Sequence, residues 1–406
     1  MAGRVSTTQQ NQKQEEIELL KFSSWVEIDL NAIAHNLQQI RSHSKASVLP
    51  ILKGNAYGHG ASILAPFLIS HGCTLLGVGT VDEALSILSL SKVPLLVLAP
   101  PLPHQVPLTV KHDITNTITS DDQLETLSNA GVQQRKKVMV HLKIDTGLGR
   151  LGATHEEALE IAKQIKRLPF VSLTGVFTHF ADASHDQRFT GLQLHRLLQL
   201  KAEFNKLGYN DLVWHAANSK ALLSSPNSQL DLVRIGTLLY GQTPQSLDST
   251  WQLADTWEFK TRLIEVKTLP PGHSVGYSRE YRTKSALRMG VIPVGYNHGL
   301  KLEPQVAQWR QFKHALTASI KTKPFVFHEK KPLPILGKVS MGLTCLDLSG
   351  APELEVGDEI TVKMRRATSN SSLPKVYFLN GQIKCILSEN QIFHGGQWKT
   401  SSTNLF

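Results

Sequence analysis

The sequence predicts an α/β protein: a (β/α)8 TIM-type barrel followed by a mostly β C-terminal domain. Three observations lead there. Residues 48–240 alternate eight short β-rich runs with helical patterns. After about residue 255, strand-like runs separated by breakers such as Pro270-Pro271-Gly272 take over. The chain has 406 residues, more than one core usually holds. Eight strands alternating with helices close most simply as a parallel barrel with the helices outside.

The elements follow in chain order. Residues 1–21 are polar, rich in Gln, Lys and Glu, and lack the apolar stretch of a secretory signal, which predicts a flexible extension. Trp25–Ile28 reads as a strand standing before the barrel. Asp29 can cap a helix that lines up Leu30, Ile33, Leu37 and Ile40 on one face. The eight strands fall near Val48–Lys53, Leu75–Thr80, Leu95–Ala99, Ile114–Ile118, Val138–Ile144, Leu173–Thr178, Val213–Ala216 and Leu232–Gly236. Capping boxes at Thr80/Glu83, Ser120/Gln123 and Thr154/Glu157 start three of the helices. A helix from near Thr190 places Leu194, Leu197, Leu198 and Phe204 on one stripe. The barrel domain is thus expected over 22–255 and the β domain over 256–406. Its strands are expected at Phe259–Leu269, Met289–Tyr296, Pro334–Met341 and Glu359–Met364, with a basic, poorly patterned insertion near 301–331.

Composition narrows the function classes. With 41% apolar and 19% charged residues the chain reads as soluble and globular, and no apolar run is long enough to span a membrane. Three scattered cysteines, Cys73, Cys345 and Cys385, have no metal-ligand spacing and are odd in number. They predict neither a disulfide framework nor a metal site, and they fit a reducing, cytoplasmic setting. The formal charge of +10 is spread along the chain without a nucleic-acid-binding motif. Such an excess attracts anionic small molecules.

Active sites of such barrels form at the C-terminal ends of the strands. The first strand ends at Lys53, followed by Gly54-Asn55-Ala56-Tyr57-Gly58-His59-Gly60. Burial lowers an ammonium pKa, and a neutral amine attacks an aldehyde. A lysine that merely snorkels out of the barrel mouth fits this one residue equally well. Strand five, however, runs into His141-Leu142-Lys143-Ile144-Asp145-Thr146-Gly147-Leu148-Gly149-Arg150. Strand six ends Thr178-His179-Phe180, His215-Ala216-Ala217-Asn218-Ser219 follows strand seven, and strand eight is Val233-Arg234-Ile235-Gly236. Their convergence on one rim weakens the bland reading.

With these runs in hand, the chain from about Trp25 to Leu387 resembles the alanine racemases, enzymes of a barrel plus a C-terminal β domain that use pyridoxal phosphate. The Lys53–Gly60, Lys143–Gly152, Thr178–Phe180 and Val233–Gly241 runs match in order and spacing. The resemblance implies that Lys53 holds the cofactor as a Schiff base and acts as the base on one face of a small amino-acid substrate. It implies that Tyr57, Ser219 and the backbone N–H groups of Gly236 and Thr237 hold the phosphate. Arg150 would contact the cofactor oxygen and the substrate carboxylate, beside Lys143, whose counterpart in the family is often carbamylated. Arg234 would face the pyridine nitrogen. A guanidinium cannot accept a proton, so the ring stays neutral, a weak electron sink that suits racemisation over transamination. Tyr277 would be the base on the other face, its acidity raised by His179 and Arg234, since an ordinary phenol titrates near ~10. Tyr277 would reach the site of a partner subunit, implying a homodimer with shared active sites. Met341 would offer its N–H to the substrate carboxylate, and Tyr296 would line the entrance. D-alanine for peptidoglycan is the implied product.

The sequence departs from the family pattern in places. Gly342 follows Met341 where an aspartate is usual. Gly295-Tyr296-Asn297-His298-Gly299 lacks an aspartate, and Ser184 stands where an entrance acid is often found. Asn390-Gln391-Ile392-Phe393 stands where a phosphate-binding tyrosine is expected. These changes predict an altered KM or substrate range. Three alternatives remain at this stage: a racemase of broader amino-acid range, a cofactor-carrying barrel protein, and a barrel decarboxylase. The β domain and Tyr277 count against the second, and Arg234 against the third.

Overall fold

Eight short strands form the ring that the sequence predicts: β1 (Ser47–Pro50), β2 (Leu76–Val78), β3 (Leu95–Val97), β4 (Asn116–Ile118), β5 (Val138–Lys143), β6 (Val171–Phe177), β7 (Val213–His215) and β8 (Leu232–Ile235). This computed structural model describes residues 7–89, 92–242, 247, 249–301, 325–366, 369–370, 372–389, 391–400 and 405, with the side chains of 7–10 excepted. All barrel pairings are parallel. β1 pairs with β8, β2 with β3, and β4 through β7 form one run. The single bridges Ile51–Gly77, Leu96–Thr115 and Asn218–Arg234 join these pieces and close the ring. β2, β3, β4 and β8 are buried at every residue. Both of their faces are covered, one by the barrel interior and one by helices, which is why β2 and β3 read as continuous apolar runs, while β4 and β8 bury Asn116, Thr117 and Arg234 as well.

The helix starts differ in instructive ways. At Thr154 the box is complete: Glu157 N donates to the hydroxyl, and Thr154 N donates to the Glu157 carboxylate at 2.7 Å. At Ser120 it does not form. The helix Asp122–Gln134 starts later, and the Gln123 amide oxygen accepts instead from Thr119 N at 2.8 Å. At Thr80 only half of it forms, because the Glu83 carboxylate goes elsewhere. In the helix Gln187–Lys206, Leu194, Leu197 and Phe204 are buried, but Leu198 is 41% exposed. The buried positions 190, 193, 194, 197, 200 and 204 follow a three- and four-residue step, and Leu198 falls outside that arc.

The chain divides into two units. Ala32–Asp255 is the barrel, and the segment before it joins Thr256–Thr400. The strand Ser24–Asp29, expected to stand before the barrel, sits inside the nine-stranded sheet of the second unit. It pairs antiparallel with Trp257–Arg262 and parallel with Lys375–Leu379. Sequence distance hid these partners, since strand pairing is decided across hundreds of residues. The expected run Phe259–Leu269 is two strands, Trp257–Arg262 and Glu265–Leu269, in different sheets. A four-stranded sheet orders Glu265–Leu269, Leu287–Ile292, Thr344–Asp347 and Ile335–Leu336. Beyond residue 364 the chain continues as an antiparallel meander from Lys375 to Lys399 that the pattern did not reveal. Most of the basic insertion, residues 302–324, lies outside the described residues.

The polar extension is not a free tail. Thr7–Leu19 is a helix, and Glu15 and Glu18 on it are buried. Trp398 Nε1 donates to Glu18 Oε1 at 3.2 Å, and Leu19 and Phe22 pack on a cluster built from Trp25, Val376, Ile383, Ile386 and Phe393. The helix docks through carboxylates and its last apolar residues, so it lacks the apolar stripe by which sequence reading finds helices. Residues 1–6 of the extension lie outside the described residues.

Candidate active site

At the C-terminal rim of the barrel a cavity of about 480 Å³ is lined by Lys53, Tyr57, Lys143, Arg150, His179, Ser219, Lys220, Arg234, Gly236 and Thr237 among others. Among the described residues the lining holds several cations and no carboxylate. Every barrel residue singled out in the sequence is therefore on one cavity. Lys220 joins them without having been foreseen, although it directly follows Ser219 in the chain.

Lys53 enters through an unusual piece of backbone. After Leu52 the chain turns with positive φ at Gly54 (62°), Asn55 (51°), Ala56 (55°) and Tyr57 (54°). A left-handed turn costs about 1–2 kcal/mol for each non-glycine residue. Local hydrogen bonds offset this. Ala56 N donates to Leu52 O (2.6 Å), Gly58 N to Gly54 O (3.0 Å), Gly60 N to Asn55 O (3.0 Å) and Ala61 N to Asn55 Oδ1 (2.8 Å). Below the turn, His59 stacks on Tyr240 with ring centroids 4.5 Å apart, and Tyr240 donates to Ile51 O at 3.0 Å. The result aims Lys53 and Tyr57 at the cavity. Lys53 opens onto it, yet removal from bulk water and the Arg150 charge lower its pKa. Burial raises the Tyr57 phenol to about 12, so it stays protonated and can donate.

Ser219, Gly236 and Tyr57 form a close cluster. Gly236 N donates to Ser219 Oγ at 3.1 Å, and a Cβ on Gly236 would collide with the Tyr57 hydroxyl. Glycine is required there because the phenol occupies the space. This cradle of hydroxyls and backbone N–H groups has the donors that a phosphate needs.

Arg234 is buried and fixed from several sides. It donates to Thr178 O (2.6 Å) and Ala216 O (2.8 Å), and meets His215 Nδ1 at 3.0 Å and His179 Nδ1 at 3.4 Å. Burial pulls its pKa to about 9, which leaves it charged at neutral pH. Since arginine only donates, His215 Nδ1 must accept. His215 Nε2 then carries the proton and donates to His141 Nδ1 at 3.0 Å. Burial and the Arg234 charge push His141 to about 4 and His179 to about 3, so both are neutral. His215 is held well below its ordinary value for the same reasons. Neither His141 nor His215 was singled out as a site residue, though each stands at the head of a run already noted.

Lys143 is buried at the end of β5, and burial together with Arg150 lowers it to about 8. Asp145 Oδ1 gathers the N–H groups of Gly147, Leu148 and Gly149 at 2.9–3.1 Å, which shapes the loop that delivers Arg150.

The remaining predicted residues lie on the β unit. Tyr277 follows Gly276 (φ 73°) and is 72% exposed. Tyr296 N donates to Ser340 O at 3.1 Å and Asn297 N to Met341 O at 3.0 Å, which puts Tyr296 and Met341 on adjoining loops, both exposed. Gly342 has open space around its Cα. Phe393 is buried in the cluster around Trp25, and Asn390 lies outside the described residues.

Comparison with known proteins agrees with this geometry. A family model described as the N-terminal domain of alanine racemase matches residues 28–244, and one for its C-terminal domain matches 256–388. An alanine racemase of Desulfosudis oleivorans is 33% identical over 84% of this chain and 87% of the relative. One from Desulfovibrio desulfuricans is 34% identical over 83% and 88%. The solved structure of an alanine racemase from Clostridium difficile, 23% identical, shares the fold with a TM-score of 0.81 over 90% of this chain and 98% of that one. The family match ends at residue 388, so the run 390–393, read as the counterpart of a phosphate-binding tyrosine, begins beyond it.

Proposed function

The chain belongs to the alanine racemase family, and from that premise we propose how its own residues interconvert L- and D-alanine with pyridoxal phosphate. The observation that carries the reading is Lys53. It stands immediately before a left-handed turn at the barrel rim and faces a cavity lined by cations and a donor cradle.

The cradle fits the cofactor's phosphate. Tyr57, Ser219 and the N–H groups of Gly236 and Thr237 would hold it, Lys53 would bind its aldehyde carbon, Arg150 its phenolic oxygen, and Arg234 would face its ring nitrogen. When bound, pyridoxal phosphate supplies the electron withdrawal that acidifies the substrate α-C–H. Arg234, locked by Thr178 O, Ala216 O and His215, would leave the ring nitrogen unprotonated and so limit that withdrawal. Arg150 and the Met341 N–H orient the substrate carboxylate. Lys53 Nζ takes or returns the α-proton on one face, and the Tyr277 hydroxyl does so on the other. His179, neutral beside Arg234, completes the polar wall.

The exposure of Tyr277, Tyr296 and Met341 on the β unit supports a homodimer in which these groups complete the site of the partner subunit. The chain's role is then cytoplasmic supply of D-alanine for peptidoglycan. Among the described residues no helix is long and apolar enough to cross a membrane.

A racemisation assay over a panel of amino acids tests the reading. Wild type converts alanine fastest. Lys53→Ala loses both the visible absorption of bound cofactor and racemisation. Tyr277→Phe keeps the absorption and loses at least ~100-fold in rate, the low end for a general acid–base group. The absence of alanine racemisation in cofactor-loaded wild type would sink the proposal. Gly342, Asn297 and Ser184 make the entrance less acidic, and the panel will show this as a raised KM for alanine or a widened range.

A further inference from the structure

We propose that Glu83 is a positioning residue for Lys53: its carboxylate ties the ends of the first two barrel strands together and sets the direction in which the catalytic lysine leaves the backbone. The inference rests on the role of Lys53 given above. Glu83 lies in the helix Val81–Leu88, three residues after Thr80. The spacing predicts a capping box, with the carboxylate returning to Thr80 N–H. The Thr80 hydroxyl does accept from Glu83 N, at 3.4 Å. The carboxylate, however, is diverted. Oε1 accepts from Gly54 N at 2.6 Å, and Oε2 from Gly79 N at 2.7 Å. Both are short, charge-assisted bonds.

The two donors occupy informative positions. Gly54 is the residue after Lys53 and the first of the left-handed turn. Gly79 follows β2, and Leu52 N donates to Gly77 O at 2.7 Å just before it. One carboxylate therefore clamps the peptide on the C-terminal side of Lys53 to the neighbouring strand end. Space for it is reserved. A Cβ on Gly79 would stand 2.9 Å from Glu83 Oε2 and 3.4 Å from Lys53 Cβ. Glycine at 79 lets the carboxylate pass beside the lysine.

The charge has a second consequence. Arg150 and Arg234 lower the proton affinity of Lys53, and Glu83 acts in the opposite direction. Among the groups acting on Lys53 it is the anion set against two guanidinium groups. Loss of its charge makes free Lys53 more acidic.

The test uses full-length Glu83→Gln, with Thr80→Ala as a control that weakens the same helix but leaves the carboxylate in place. Two readouts are taken: kcat and KM in both directions, and the pH dependence of the rate at which apoenzyme regains visible absorption on adding pyridoxal phosphate. Free Lys53 must be neutral to attack the aldehyde, so the second readout follows its pKa without relying on turnover. Glu83→Gln is expected to lower kcat at least tenfold with KM within threefold, and to move the rise in reconstitution rate to lower pH. Thr80→Ala lowers the melting temperature and leaves kcat within twofold. A Glu83→Gln enzyme with wild-type kcat and an unmoved reconstitution profile overturns the proposal. An equal kcat loss in Thr80→Ala does so too, because helix stability alone would then explain the effect. Should Glu83→Gln fail to fold, Glu83→Asp decides. It keeps the charge but is a methylene too short for both N–H groups, so a kcat loss of at least threefold is required, and wild-type kcat overturns the idea. If the wild type itself neither racemises alanine nor shows the absorption, the role of Lys53 is what fails.

Discussion

Lys143 shows how environment changes what a side chain can do. Burial and the Arg150 charge bring it to about 8, so a sizeable fraction is a neutral amine near pH 7.5. A neutral amine adds to carbon dioxide, releasing a proton and becoming a carbamate, which replaces a cation beside Arg150 with an anion. Enzyme equilibrated with 13C-bicarbonate should show a carbamate carbon resonance that disappears in Lys143→Ala. Arg234 illustrates the opposite case, a group whose charge is fixed and whose geometry matters. Lysine cannot reproduce its planar set of bonds to Thr178 O, Ala216 O and His215. Bonds to charged groups are worth roughly 1.5–3 kcal/mol each, so Arg234→Lys should cost at least about 2 kcal/mol in urea unfolding and weaken cofactor retention.

At the scale of elements, the barrel interior leaves room for the histidine pair. A Cβ on Gly175 of β6 would stand 2.6–2.8 Å from the His141 ring, which His215 and its neighbours hold in place. Gly175→Ala should destabilise by about 1–3 kcal/mol, as overpacking does, and the His141→Ala background should relieve much of that. Both would be read from urea midpoints. The N-terminal helix makes a different point. Its sequence carries no apolar stripe, yet Glu15 and Glu18 are buried against the β unit. Its existence was not legible because most of its partners, Trp398 and the residues Val376, Ile383, Ile386 and Phe393 that pack with Trp25, come from the far end of the chain. The same lesson holds for Glu83. Local spacing predicts a cap, and the backbone N–H groups of Gly54 and Gly79 at two strand ends take the carboxylate instead.

For the whole molecule, pH below neutrality acts with opposite sign on buried groups of the two units. Native His141 and His179 titrate at about 4 and about 3, below the ordinary ~6.5. Between those values the unfolded chain binds more protons, so barrel stability is lost as pH falls from about 6.5 toward 4. Each excess proton contributes about 1.4 kcal/mol per pH unit. Glu15 behaves in reverse. Burial raises it from 4.5 to about 7, so between those values the native state holds the extra proton, and docking of the helix weakens as pH rises from about 4.5 toward 7. Limited proteolysis of residues 1–21 should therefore speed up from pH 5 to 7, and Glu15→Gln should remove that dependence. Urea unfolding of the barrel should weaken toward pH 5, with a shallower slope in His141→Gln.

The sequence by itself determined the class of fold, the eight barrel strands, and most of the polar barrel residues that line the cavity. Strand period, glycine punctuation and polar residues at strand ends are local signals, and the barrel rule carries them to one rim. Only the tertiary structure decided what those residues touch. The diversion of Glu83 to Gly54 and Gly79, the fixed tautomer running from Arg234 to His141, and the central place of Ser24–Asp29 in the second sheet all depend on partners remote in the chain. Such contacts are set by how the strand ends meet after folding, and a residue's type and spacing do not encode which donor it will find there.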